Sequence, residues 1–150
     1  MDIINTQNLN EARKQIQELK KQNKPIIVQA QNNEFNRKIF ENKDVNMVIG
    51  LELHWRRDRL KQRDSGLNEV LAKLAKQNNI KIAIDIKEIQ KLPKKEKAIV
   101  LSRIIQNIQL CKRTGTKIAF FPEENYKKQD AISFFLSLGA STQQIKNSIA

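Results

Sequence analysis

The sequence has very few of the side chains from which most catalytic sites are built. It contains one cysteine, Cys111, so that no intrachain disulfide can form and a reducing compartment is expected. It also contains one histidine, His54, whereas metal-dependent phosphoesterase barrels use several histidine and aspartate ligands. No Walker sequence, glycine-rich dinucleotide turn or nucleophile elbow is present. These absences favour a binding protein over a catalyst.

Long apolar runs are missing as well. No stretch reaches the length of a transmembrane helix, and the first ten residues have neither a basic nor an apolar segment of the kind found in signal peptides. We therefore expect a cytoplasmic protein. The length of 150 residues suits a single domain, 1–150, and hydrophobic and charged fractions of 39% and 29% are typical of globular chains.

Positive charge is what the sequence has in excess. The formal net charge is +12, from 28 basic and 16 acidic side chains. Residues 1–53 carry 8 basic and 7 acidic side chains, which leaves a net charge of +11 for residues 54–150. Such an imbalance attracts polyanions, either nucleic acid or an anionic membrane. A membrane is the weaker candidate, because no helix combines a basic face with exposed large apolar groups.

The hydrophobic pattern alternates between strands and amphipathic helices. We predict strands at Asp2–Asn5, Ile26–Ala30, Val45–Leu53, Ile80–Ile86 and Lys117–Phe121. We predict helices at Asn8–Gln22, Glu34–Asn42, Leu67–Asn78, Lys94–Arg113, Gln129–Leu138 and Thr142–Ile149. The inward stripe of the long helix is expected to be Ala98, Leu101, Ile105 and Ile108.

This alternation predicts an α/β fold with a mainly parallel sheet. An eight-stranded barrel typically needs ~250 residues. The chain therefore predicts either a short or incomplete TIM-barrel-like repeat of (βα) units, or a small open sheet. In both cases the loops that follow the carboxyl ends of the strands are expected to carry the function.

The loops that follow the predicted strands Val45–Leu53 and Ile80–Ile86 are strongly basic, and we expect these two strands to be neighbours in the sheet. Arginine matches phosphate oxygens in a bidentate way, and Trp55 offers a surface on which an unpaired base could stack. The long helix adds further cations that could face RNA or a partner protein. The predicted RNA contacts are Trp55, Arg56, Arg57, Arg59, Lys61, Arg63, Lys87, Lys91, Lys94, Lys95, Arg103, Lys112 and Arg113.

The residues alone leave other interpretations open. The arginine-rich loop could be a solvated charged loop with Trp55 in the core. His54, Asp64 and Asp85 could serve a small metal-dependent phosphoesterase barrel, and the basic surface could instead bind an acidic protein as an assembly factor. Asp64 or Ser65 could cap the following helix, or the helix start could bind a phosphate through its N–H groups.

Two segments resemble a known family. Arg63–Lys76 is similar to a characteristic segment of the archaeal ribonuclease P protein component 3 family, the counterpart of the eukaryotic thirty-kilodalton subunit. Leu101–Arg113 resembles that family's long helix, with Gln106 and Cys111 in matching places. The matching motif residues are Arg63, Asp64, Ser65, Gly66, Asn68 and Asn107.

The resemblance implies an RNA-binding subunit that is not catalytic by itself. In this family the RNA, with magnesium ions, removes the five-prime leader from precursor tRNA. The protein is expected to pair with a small RRM-like subunit, with two copies of each, and to bind no cofactor of its own. Family members usually carry further strands before the matched part, so that we expect an incomplete barrel or one closed by a partner. Lys87 stands where the family often has an arginine.

Overall fold

Five parallel strands form the centre of the protein. The computed structural model describes residues 2–54, 63–121 and 126–149, with the side chains described as far as residue 146. The sheet order is β1-β2-β3-β4-β5, identical to the order along the chain. The strands are β1 Ile3–Ile4, β2 Ile27–Gln29, β3 Met47–Ile49, β4 Lys81–Asp85 and β5 Ile118–Phe121.

Seven helices within the described residues connect and follow these strands. Asn8 caps the first of them by accepting hydrogen bonds from the backbone N–H groups of Asn10 and Glu11. Gly115 ends the longest helix in a left-handed conformation. The helices are α1 Leu9–Lys21, α2 Asn33–Phe40, α3 Glu69–Gln77, α4 Ile86–Gln90, α5 Lys94–Thr114, α6 Lys128–Ser137 and α7 Thr142–Ile149.

Sequential parallel strands with helical connections are the arrangement of a (βα) barrel segment. The main core lies on the face of the sheet that packs against the helices, where Val28, Val48 and Ile82 are almost fully buried. The opposite face carries a smaller cluster of Ile27, Ile49 and Ala83. The predicted α/β class with a parallel sheet is therefore confirmed. None of the described helices is both long and apolar enough to cross a membrane.

The region after β3 differs from the prediction. Val45–Leu53 was expected as one strand, but the strand ends at Ile49. Gly50 adopts a positive φ of 83° and turns the chain into a 3-10 turn over Leu51–Leu53. Leu51 and Glu52 are buried in this turn instead of extending the strand.

Two helical details also differ from the prediction. Residues 87–93 were expected as a loop, but Asp85 accepts a hydrogen bond from the N–H of Glu88 and caps the short helix α4. On α5, Ala98 and Ile105 are exposed, so that the expected inward stripe is wrong at these two positions. The buried face of α5 is instead lined by Val100, Arg103, Ile104, Asn107, Ile108, Leu110 and Cys111.

Candidate nucleic-acid interface

The loops after β3 and β4 leave the same edge of the sheet. These strands pair in parallel, with Ile49 opposite Ala83, so that their carboxyl ends are adjacent. The predicted contacts Trp55, Arg56, Arg57, Arg59 and Lys61 lie outside the described residues, and their place at this edge stays a prediction.

The connection from β4 to α5 presents four exposed lysines. Lys87 and Lys91 lie on or next to α4, and the Lys91 Nζ is 2.9 Å from the Glu88 carboxylate. Lys94 and Lys95 occupy the first turn of α5, and neither has a carboxylate partner within the described part of the chain. A helix N-terminus disfavours positive charge, so the two lysines do not stabilise this helix. Their position suits contact with an external anion.

Lys112 and Arg113 lie at the other end of α5. The helix has 21 residues, which at 1.5 Å per residue separates its ends by roughly 30 Å. Both side chains are exposed and occupy the last turn, where positive charge stabilises the helix. Arg113 lines a groove of about 230 Å³ beside the start of α3. These two residues therefore form a site separate from Lys94 and Lys95.

Arg103 does not present its guanidinium to solvent. It is 7% exposed, and its Nη1 donates hydrogen bonds to the backbone oxygens of Glu52 at 2.9 Å and His54 at 2.8 Å. This burial contradicts the expectation that Arg103 contacts RNA. The side chain instead fixes the 3-10 turn that follows β3, and it does so because α5 packs directly against that turn.

Glu52 is a buried acid at this edge. Its carboxylate oxygen accepts a hydrogen bond from the Asp85 N–H at 3.1 Å, which ties the 3-10 turn to the end of β4. Burial raises the pKa of Glu52 to about 7, against the lowering effects of backbone hydrogen bonds and Arg103. Burial also raises the pKa of Asp85. Both acids are engaged in holding the local structure.

The family-like motif forms a tight turn before α3. The Asp64 Oδ1 accepts a hydrogen bond from the Gly66 N–H at 3.0 Å. Gly66 has a φ of +81°, and a Cβ at this position would lie 2.1 Å from the Leu51 backbone oxygen. The His54 Nε2 lies 2.7 Å from the Asp64 backbone oxygen, so that this nitrogen carries the proton. The turn therefore packs against residues 51–54.

The helix cap is Asn68, and neither Asp64 nor Ser65 caps α3. Asn68 Oδ1 accepts the hydrogen bond from the Leu71 N–H at 2.9 Å. Ser65 is buried, and its backbone oxygen accepts a hydrogen bond from Asn107 on α5 at 3.2 Å. The prediction of a cap at Asp64 or Ser65 is wrong because α3 begins at Glu69, two residues later than expected.

A cleft opens between α2, α3 and the turn that precedes α3, and we call it the α2–α3 cleft. Its volume is about 310 Å³. Among its lining residues, sequence reasoning missed Arg37, which reaches the cleft from a distant segment of the chain. The polar and charged side chains that line it belong to Asn33, Arg37, Arg63, Asp64, Ser65, Asn68 and Gln106.

The residues proposed for the alternative phosphoesterase activity gain no support from the structure. His54 is buried against Asp64, and Asp85 caps α4. Residues 2–54, 63–121 and 126–149 include no group of three histidine, cysteine or acidic side chains that could hold a metal ion. Cys111 is buried in the core, where burial raises its pKa to about 12 and keeps the thiol protonated at neutral pH.

No family model matches the chain. Ribonuclease P protein component 3 of Methanococcus maripaludis strain C7 is 24% identical over 115 residues, and that of strain C6 is 25% identical over the same length. The matches cover 77% of the chain and 47% of each relative, so the chain spans about half the length of the curated relatives it matches. The resemblance to the component 3 family is thereby confirmed.

Solved structures match over almost the whole chain. A chain in the cryo-EM structure of archaeal ribonuclease P with mature tRNA gives a TM-score of 0.80 at 19% identity, covering 97% of this chain and 62% of that one. The crystal structure of an uncharacterized protein gives a TM-score of 0.54 at 13% identity, covering 94% of this chain and 38% of that one. The predicted incomplete TIM-barrel-like fold is confirmed.

Proposed function

We propose that this chain is an RNA-binding protein subunit of ribonuclease P, which assists the catalytic RNA in removing the five-prime leader from precursor tRNA. The observation that carries the proposal is the fold. A chain of archaeal ribonuclease P has a similar fold, and the match covers 97% of the present chain. The sequence similarity to ribonuclease P protein component 3 supports the same assignment.

The charge distribution supplies a physical role. Residues 54–150 carry a net charge of +11, and the described lysines of this region include Lys94 and Lys95, which have no carboxylate partner among the described residues. Such cations neutralise phosphates where RNA strands approach each other, and each contact releases counterions. The protein therefore lowers the repulsion that opposes a compact RNA fold, and we expect its affinity for RNA to fall steeply with salt.

The division of labour leaves hydrolysis to the RNA. In this proposal, magnesium ions bound by the RNA act on the phosphodiester, while the protein holds no cofactor. The protein pairs with a small RRM-like subunit of the same enzyme, two copies of each forming a heterotetramer, in the cytoplasm. The buried positions of His54 and Cys111 suit this role, because neither side chain is presented to a substrate.

Reconstitution tests the proposal. The chain is mixed with the matching ribonuclease P RNA and the RRM-like subunit, and cleavage of a precursor tRNA is followed at low and at high magnesium. We expect cleavage at magnesium concentrations where the RNA alone is inactive, because the protein replaces part of the cation requirement. A mixture that lacks this chain but contains the other two components is the control.

Two outcomes would contradict the proposal. One is cleavage that is the same with and without the chain at every magnesium concentration. The other is the absence of a complex with the RNA at low salt, where electrostatic binding is strongest. Binding that resists nuclease treatment would instead point to an acidic protein as the partner.

A further inference from the structure

The α2–α3 cleft has the size and composition of a pocket for a small polar ligand. Its volume of about 310 Å³ is at the lower end of the ~300–1,000 Å³ range that is usual for ligand sites. Two arginines, Arg37 and Arg63, and one carboxylate, Asp64, line it together with the side-chain amides of Asn33, Asn68 and Gln106, so that cations outnumber anions. Cations and amides in one pocket suit a ligand that has both an anionic group and hydrogen-bonding edges.

We propose that the α2–α3 cleft binds a single unpaired nucleotide of an RNA. Arg37 and Arg63 contact its phosphate, and the amide side chains contact the edge of its base. This inference rests on the proposed RNA-binding function, and it names the RNA feature that one part of the surface recognises.

The charge around Arg37 favours an anion. The Arg37 Nε is 3.3 Å from one oxygen of Glu41, and the Lys38 Nζ is 3.7 Å from the other oxygen of the same carboxylate. Two cations thus share one anion, which leaves a positive charge at this end of α2. A guanidinium has five N–H donors, so that one bond to Glu41 leaves other donors for a phosphate.

Two of the side-chain amides in the cleft have donor or acceptor atoms available for a ligand. The half-buried Gln106 side chain makes no hydrogen bond to any residue that the structure describes, so both its oxygen and its nitrogen can pair with a ligand. Asn68 uses its oxygen to cap α3 and keeps its two N–H donors. Side-chain amides recognise base edges because they offer a donor and an acceptor together.

An apolar surface lies next to these polar groups. Val70 lines the cleft and is 56% exposed, more than any other large hydrophobic residue in the described part of the chain. Leu67 and Leu71 continue this surface into the core. The face of a base could cover Val70, whereas a base inside a duplex is stacked and cannot enter a pocket. This combination favours an unpaired nucleotide over the backbone of a paired region.

Binding to two matched RNA hairpins tests the inference. The hairpins differ only in one bulged nucleotide, and fluorescence anisotropy gives the affinity of the full chain for each. We expect the bulged hairpin to bind roughly tenfold more tightly, which is the change expected from one hydrogen bond to a charged group. Arg37→Ala and Gln106→Ala should each remove most of this preference. Arg37→Lys should restore only part of it, because lysine lacks the bidentate fork.

Exposed residues of α1 provide matched controls. Arg13→Ala and Gln17→Ala remove the same side-chain types from a helix that does not line the cleft, and they should leave the preference for the bulged hairpin unchanged. Thermal melts of all variants exclude unfolding as the cause of a loss.

The possible failures are distinguishable. Equal affinity of the unmodified chain for both hairpins would overturn the cleft assignment, as would full preference in Gln106→Ala, while the proposed RNA-binding function would stand. If neither hairpin bound at low salt, both proposals would fail. Competition by poly-glutamate at lower concentrations than either RNA would assign the cleft to an acidic protein and would also overturn the inference.

Discussion

Single residues of the motif before α3 have two different tasks. Gly66 and Asp64 hold the turn, the first by its close contact with the Leu51 backbone oxygen and the second by accepting the Gly66 N–H. Arg63 and Asn68 line the α2–α3 cleft. The resemblance of this motif to the family can therefore reflect both the shape of the turn and the residues of the cleft. Substituting each residue separately distinguishes the two contributions.

Gly66→Ala should be one of the most destabilising small substitutions in the chain. The added methyl group would lie 2.1 Å from the Leu51 backbone oxygen, which cannot move without disturbing the 3-10 turn. We expect a loss of about 3 kcal/mol in the free energy of unfolding, measured by urea denaturation, from backbone strain and steric overlap together.

Gly139→Ala is the matched control for this prediction. Gly139 also has a positive φ, +95°, but a Cβ there would meet nothing within 4 Å. Only the backbone strain remains, so that we expect a loss of about 1 kcal/mol. Equal losses for Gly66→Ala and Gly139→Ala would show that the contact with Leu51 is unimportant.

Glu52 should make stability depend on pH. Folding raises the pKa of Glu52 from 4.5 to about 7, because burial penalises its charged form. Between these pH values the folded protein keeps a proton that the unfolded chain releases. The contribution to stability is therefore fully present below about pH 4.5 and is lost as the pH rises to about 7. The loss is about 3 kcal/mol, at ~1.4 kcal/mol per pKa unit.

Glu52→Gln should flatten this dependence. The neutral amide keeps an oxygen that can accept the Asp85 N–H but has no proton to release. Urea denaturation at pH 5 and pH 8 should show a smaller difference in the free energy of unfolding for this variant than for the unmodified chain. Glu18→Gln on the exposed surface of α1 serves as the control. The same pH dependence in both variants would contradict the assignment.

Among the elements, α5 combines several roles along its length. Its first turn presents Lys94 and Lys95 to solvent, its middle buries Arg103 and Asn107, and its last turn carries Lys112 and Arg113. The buried polar groups brace the turns that follow β3 and precede α3. The helix thus links two basic surface regions to the segment that carries the family-like motif.

Removing the first pair of lysines should weaken RNA binding without affecting stability. For Lys94→Ala/Lys95→Ala we expect the slope of log affinity against log salt to decrease by about 1.8, since each phosphate contact contributes ~0.9. The melting temperature should stay unchanged because both side chains are exposed. Lys14→Ala/Lys21→Ala on α1 is the control with the same charge change. An equal decrease for both pairs would mean that net charge alone governs binding.

Sequence periodicity predicted the elements well where their neighbours in the chain determine them. The helix Thr142–Ile149 was predicted with the observed bounds, and α5 began at the predicted residue. The end of β3 and the short helix α4 were missed, since Gly50 and the Asp85 cap act through local geometry that periodicity does not encode.

The buried face of α5 could not be predicted from apolar spacing alone. Arg103 and Asn107 belong to it because they satisfy backbone oxygens of other segments, which only the folded chain brings near. The α2–α3 cleft was missed for the same reason. Arg37 and Arg63 are separated by 26 positions, and the folded chain between them, which includes β3, brings them to one pocket.

In the molecule as a whole, the excess positive charge is concentrated in one part of the chain, whereas the sheet is built from both parts. The sheet runs through residues 3–121, with all five strands in sequential order. The excess charge belongs almost entirely to residues 54–150, which contribute only β4 and β5 to the sheet. The first part of the chain therefore contributes to the scaffold without adding positive charge, apart from Arg37 and its neighbours at the cleft. This asymmetry predicts a one-sided RNA footprint.

The salt dependence of RNA binding can test whether the footprint is continuous. Because β3 and β4 end side by side, we expect the arginines of the loop after β3 to join Lys94 and Lys95 along one RNA path. Arg56→Ala/Arg57→Ala/Arg59→Ala should lower the salt slope by about 2.7 when each arginine contacts one phosphate. The melting temperature should not fall.

Combining these three substitutions with Lys94→Ala/Lys95→Ala distinguishes a shared path from independent sites. On a shared path the two decreases in slope add to about 4.5, because every lost contact retains counterions on the same RNA. If the loop arginines instead bound a different polyanion, the combined variant would show only the decrease in salt slope that the lysine pair causes by itself. An unchanged slope for the triple variant would remove the loop from the RNA footprint and leave the β4–α5 connection as its centre.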